Sequence, residues 1–235
     1  MLGALVLGVA LLAGFVVWER RARYPMVPLA YFRRRGFTTA NAVAFFQFVS
    51  VLGSLFLITQ LFQIGLGYSP LQAGLRILVW MAMPMLVAPI AGALADRFGN
   101  RPFMAAGLVL PSVGLGWLAW AVGPAVGYGR LVGPLITAGV GIALCFPTVS
   151  NAVVASVPID DAGVAAGVNS AMRELGGVFG IAIVAAVFAA NGSYATPGSF
   201  LTGFQPAIAV ASAVAAVGLI AAVLSPSRPA TQELS

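Results

Sequence analysis

Along most of this chain the apolar residues neither alternate nor keep to one face. They run on for the length of a membrane crossing before a short polar segment interrupts them. Seven such runs can be marked, at approximately 2–18, 40–63, 72–95, 103–122, 131–155, 165–190 and 204–224. Each is close to the about 20 residues that carry a helix across about 30 Å of hydrocarbon. A chain inside a bilayer must satisfy its own backbone hydrogen bonds. Unbroken runs without strand-like alternation do so as helices and not as a barrel. The pattern therefore predicts an all-α integral membrane protein with seven transmembrane helices. A last polar stretch, 226–235, reads as a tail.

Composition agrees, with 60% hydrophobic and 8% charged residues, against about 25% charged in an ordinary soluble domain. There is no histidine and a single cysteine, Cys145. The commonest metal ligand, the usual neutral-pH proton shuttle and any internal disulfide are thereby removed, so no metal site is expected. Without a serine or aspartate dyad at depth either, the chain is read as not an enzyme. All twelve basic residues are arginine, so no lysine is present to carry a retinal Schiff base. A net charge of +6 would suit a nucleic-acid binder, but the arginines flank apolar runs in the manner that orients membrane spans, and nucleic acid is set aside as a partner.

The polar segments order the topology. Glu19–Gly36 carries Arg20, Arg21, Arg23, Arg33, Arg34 and Arg35 and follows a first run with no basic residue before it. A cleavable signal peptide has the opposite order, so the first run is read as a retained span. Basic connections face the cytoplasm. Parity then puts Asp96–Arg101, Pro158–Gly163 and the tail on the same side, with nine of the twelve arginines. The N-terminus is expected outside and the C-terminus in the cytoplasm.

Within the runs, Gln47, Ser50 and Ser54 fall at i, i+3 and i+7, on one helical face. That face looks either into a wet cavity or into neighbouring helices, where each hydrogen bond adds about 0.6 kcal/mol. Thr148 and Asn151 lie near the inner end of the fifth run and are further cavity candidates, beside Gly133, Gly139 and Gly141, which favour close helix approach. Pro84 and Pro89 predict kinks in the third run, and Arg76 near its outer end is read as snorkelling to the headgroups. In the sixth run, Gly163/Gly167 and Gly176/Gly180 have the four-residue spacing of tight crossings. Arg173 and Glu174 are adjacent and point about 100° apart. They are candidates for a charge relay or an interface pair, each meeting a neighbouring helix or the inner interface.

The most informative stretch is the charged turn GALADRFGNR, Gly92–Arg101, between two apolar runs. Gly92 is expected to allow close packing and Gly99 a sharp turn. Asp96 is expected near the start of the next helix, where the dipole favours a carboxylate and Arg97 and Arg101 can pair with it. The predicted result is a latch that opens and closes.

This turn resembles the G-x-x-x-D-R-x-G-x-R loop signature of the major facilitator superfamily, through Gly92, Asp96, Arg97, Gly99 and Arg101. Asn100 stands where the family often has a basic residue. PLAYFRRRGF, YSPLQAG and GVAAGVNSAMRELGGVFG are similar to the C-terminal half of the fourteen-helix drug:proton antiporters. The resemblance implies that six of the seven helices form one half of a major facilitator fold. It divides the chain into an extra helix and basic linker (1–36), a six-helix half (37–225) and a cytoplasmic tail (226–235). It implies part of a multidrug efflux antiporter in the cell inner (plasma) membrane, truncated or split and completed by a missing N-terminal transporter half. Its partners would be the lipid bilayer and small hydrophobic or cationic substrates, driven by a proton gradient with no cofactor. The competing reading is a non-transporting membrane scaffold or degenerate fragment.

Overall fold

The computed structural model describes residues 29–226 other than Ala125, together with six positions between Gly8 and Glu19. The first apolar run, 2–18, thus lies largely outside the described residues, as do most of the linker and the tail. After a 3-10 turn, Leu29–Arg33, seven helices follow: α1 (Arg35–Gln60, extended by a π turn, Leu61–Gly65), α2 (Pro70–Met81), α3 (Met83–Phe98), α4 (Asn100–Ala121), α5 (Gly129–Val154), α6 (Ala162–Asn191) and α7 (Pro197–Leu224). Taking α2 and α3 together as Pro70–Phe98, six are long and apolar enough to cross a membrane. Among the described residues there is no strand.

Local chemistry explains the boundaries. Ser69 and Gln72 form a capping box ahead of Pro70, and Thr196 and Ser199 another ahead of Pro197. The second box starts α7 seven residues before its apolar run, because hydrophobicity does not register Ser199 and Thr202 as helical. Pro84 divides the second span. Having no N–H, it offers nothing to the Trp80 carbonyl, and α2 gives way to α3 at Ala82. Gly139 of α5 packs against that carbonyl, where an added Cβ would come within 2.8 Å. Pro89, by contrast, sits inside α3 without ending it.

The main contacts are α1 with α6 and α7, α4 with α5 and α7, and α3 with α5. Exchanging α1 with α5, α2–α3 with α6, and α4 with α7 maps this set of contacts onto itself. Three crossings separate the exchanged helices, so the two triplets run in opposite senses through the membrane, as in an inverted repeat. α1 and α5 are the most enclosed spans and α2–α3 the most open.

Two apolar clusters fill the interior. One, around Leu57, Trp80, Leu118 and Phe204, lies toward the end formed by the 66–69, 122–128 and 192–196 connections. The other, around Phe37, Met104, Val149 and Ala165, lies toward the end carrying Arg33–Arg35, Arg97 and Arg101, here called the basic end. At the opposite end the Arg76 guanidinium stacks 3.8 Å above the Tyr68 ring, and Tyr128 Oη donates to the Arg76 carbonyl (3.0 Å). Arg76 is therefore anchored on aromatic rings and does not simply reach for headgroups.

The α1–α6 crossing depends on missing side chains. A Cβ on Gly180 would lie 2.2 Å from the Val49 carbonyl oxygen, one on Gly176 2.5 Å from that of Phe45, and one on Gly53 2.7 Å from that of Gly180. Gly163 and Gly167 have the same spacing but meet nothing within 4 Å, because both lie on the exposed face of α6, turned away from α1. We expect Gly180→Ala to cost about 1–3 kcal/mol through overpacking and Gly167→Ala to be neutral or to stabilise by up to about 1 kcal/mol. Thermal unfolding of the two variants in detergent checks this; equal shifts would refute the crossing.

Candidate functional site

The charged turn at the basic end is built from the end of α3 and the start of α4. Gly99 has φ 86° and ψ 160°, a conformation that side chains oppose, and it sets the sharp reversal. Two expectations are corrected. A Cβ on Gly92 would meet nothing within 4 Å, so this glycine does not mediate close packing. The surrounding residues Ala93, Leu94 and Asp96–Phe98 all project outward. Asp96 lies in the last turn of α3 and not at the start of the next helix. There the helix dipole works against a carboxylate and favours Arg97. Asp96 is exposed and bonds to neither Arg97 nor Arg101; Arg97 stands 5.6 Å from the Phe98 ring.

The predicted polar face of α1 points inward. Gln47 is buried, and its Nε2 donates to the Ile142 carbonyl of α5 (3.3 Å). Ser54 donates to the Ser50 carbonyl of its own helix (2.6 Å), and Ser50 Oγ is buried without a partner. Thr148 is buried too and donates to the Leu144 carbonyl (2.9 Å). These four side chains lie within the six-helix packing, and of the five cavity candidates only Asn151 is exposed. A buried amide pair was not singled out from sequence. Asn169 Nδ2 donates to Asn41 Oδ1 (3.2 Å), and Asn41 Nδ2 to the Phe37 carbonyl (2.9 Å). The signal was available as a single asparagine in each of two apolar runs.

Arg173 and Glu174 lie within about one turn of the midpoint of α6, at mid-height and not at the basic end. They form no pair with each other. Arg173 reaches toward α5, where Nη2 donates to Ser150 Oγ (2.7 Å), and its guanidinium lies 4.2 Å from the Phe146 ring and 5.6 Å from that of Phe48 on α1. Glu174 is exposed. α6 therefore presents a carboxylate at mid-height on an open surface of the bundle.

The basic end carries a further contact. Tyr31, in the turn before α1, donates a short hydrogen bond to Asp161 before α6, and Arg34 Nη1 donates to the Ser156 carbonyl (3.0 Å). The linker is thereby clipped to the α5–α6 connection.

Against this geometry, the family model of the Major Facilitator Superfamily matches residues 1–181 and, in a second alignment, 42–235. The chain belongs to the Major Facilitator Superfamily. Over 190 residues it is 37% identical to the multidrug resistance protein Stp of Mycobacterium tuberculosis, covering 81% of this chain and 34% of the relative. It is 29% identical over 190 residues to the tetracenomycin C resistance and export protein of Streptomyces glaucescens, covering 81% and 35%. The quinolone resistance protein NorB of Staphylococcus aureus is 30% identical over 177 residues, covering 74% and 38%. The matched region thus spans about a third of the length of these curated relatives. In this superfamily member, the six described spans with their two-fold internal pattern are the arrangement of one transporter half.

The hydrogen bond to Asp161 is the main cause that raises the Tyr31 phenol above its ordinary pKa of 10.0, with burial and the Asp161 charge adding and Arg34 opposing. A raised folded value means that the clip is fully present below the ordinary tyrosine pKa and is lost as pH climbs through the raised one. Subtracting the phenolate titration of Tyr31→Phe from that of the parent should give an increment with its midpoint above 10.0; a midpoint at or below that value would show that the contact does not form.

Proposed function

We propose that this chain forms the C-terminal half of a proton-coupled multidrug efflux antiporter, working together with an N-terminal half. The observation that carries this reading is the exposed Glu174 beside Arg173 at mid-height of α6. Ionisable groups at that depth are expensive against lipid tails and belong against a water-filled path or another protein surface. A second half rocking against this one would supply both. The names of the relatives, which speak of multidrug resistance, export and quinolone resistance, support hydrophobic or cationic drug-like substrates.

In this reading the basic end faces the cytoplasm of a plasma-membrane protein, in keeping with the arginine bias. Gln47 ties α1 to α5, Ser50, Ser54 and Thr148 lie inside the packing, and Asn151 with the Arg173–Glu174 region faces the substrate path. Glu174 is the candidate proton carrier. Asp96 acts in gating. Exposed and placed against the dipole of its own helix, it is poised for a cationic partner that it meets only in another conformation, with Arg97, Gly99 and Arg101 shaping the turn.

Ethidium accumulation in efflux-deficient cells tests the proposal, with the chain expressed alone and together with the N-terminal half of a relative. The pair should lower accumulation, and Asp96→Asn in the pair should slow efflux about tenfold or more, the loss expected of a charge-assisted bond. Accumulation equal to that of vector controls would favour the scaffold reading. Undiminished efflux by Asp96→Asn would remove the gating role alone.

A further inference from the structure

Arg173 differs from the other described arginines in depth. Arg33, Arg34, Arg35, Arg97 and Arg130 are all exposed near helix ends, whereas Arg173 lies within about one turn of the middle of α6. Its guanidinium is held from two other helices. Ser150 Oγ accepts from Nη2 at 2.7 Å, the Phe146 carbonyl accepts from the same nitrogen at 3.4 Å, and the neighbouring Phe146 and Phe48 rings lie 4.2 and 5.6 Å away. Nε is enclosed and has no partner. No acid among the described residues forms an ion pair with it. The adjacent Glu174 is exposed and projects elsewhere. The aromatic contacts and the serine oxygen stabilise the cation but do not neutralise it.

A guanidinium fixed in one orientation, with donors to spare and beside two neighbouring aromatic rings, is matched to a planar anion. We infer that Arg173 is the receptor for the carboxylate of an amphipathic aromatic compound entering from the open face, whose ring packs beside Phe146 and Phe48. The exposed ring of Phe146 supplies an apolar wall at the mouth of the site, and Ser150 keeps the guanidinium in place. The inference rests on the transport reading for the meaning of the open face, and extends its substrates from hydrophobic and cationic compounds to aromatic acids.

Equilibrium dialysis of 2-naphthoate and of its uncharged methyl ester against the purified chain in lipid nanodiscs, corrected with empty discs, tests the inference. The acid should bind more tightly than the ester by about tenfold or more, the effect of one or two hydrogen bonds to a charged group. Arg173→Gln should abolish that preference, Arg173→Lys should keep part of it, and Ser150→Ala should weaken it. An equal preference in Arg173→Gln, or no preference in the parent, overturns the inference. Should the glutamine variant fail to fold, full preference in both Arg173→Lys and Ser150→Ala overturns it equally. A preference that disappears when the N-terminal half is joined, and returns when an acid of that half is neutralised, would assign the counter-charge to the protein and refute the ligand. Binding is read on the chain itself, so failure of ethidium efflux counts against the transport reading alone.

Discussion

The structure depends on the approach of α1 and α6 at Gly53, Gly176 and Gly180, where the backbone of each helix touches that of the other. Lipid tails are as apolar as the side chains they replace, so helices in a bilayer gain little by hiding leucine and gain more by close packing. Backbone contact at this crossing draws α6 tightly against α1. That contact fixes which face of α6 is left over, and the left-over face carries Glu174. The same device recurs at Gly107, Gly114 and Gly141 between α4 and α5, the second strong contact in the bundle, so that both triplets of the internal repeat are joined by small residues.

Polar groups inside the bundle follow from the same constraint. With no water to accept or donate, Gln47 finds the Ile142 carbonyl, Asn169 finds Asn41, and Ser54 and Thr148 turn back onto their own helices. Gln47 ties α1 to α5, and the asparagine pair ties α1 to α6 beside the apolar cluster of the basic end. They belong to the rigidity of the half, which a rocking mechanism needs as much as it needs a cavity. Charge is treated differently. It is kept at the ends, anchored on rings as Arg76 is on Tyr68, or clipped as Tyr31 is to Asp161; at Arg173 and Glu174 it is held at mid-height of α6.

Much of this was legible in the residues because a bilayer leaves few choices. Apolar runs of crossing length had to be helices, the arginine bias ordered the connections, and the turn around Gly99 announced itself by a glycine where only a glycine fits. The polar face of α1 was correctly found at i, i+3 and i+7, yet periodicity states only that Gln47, Ser50 and Ser54 share a face, and not what that face meets. Gly163/Gly167 and Gly176/Gly180 likewise carry the same signal, and only one pair is in contact.

The sequence by itself determined the class of the protein, its spans and the side on which its charges gather, since these follow from the cost of placing polar groups in hydrocarbon and need no knowledge of neighbours. The tertiary arrangement alone decided which polar groups are enclosed and which are open. It turned Gln47 inward, left Asp96 exposed at the wrong end of its helix, and set Arg173 beside two phenylalanines. The reason is geometric: enclosure depends on the rotation and crossing of helices distant along the chain, and those are set by backbone contacts that no single run contains.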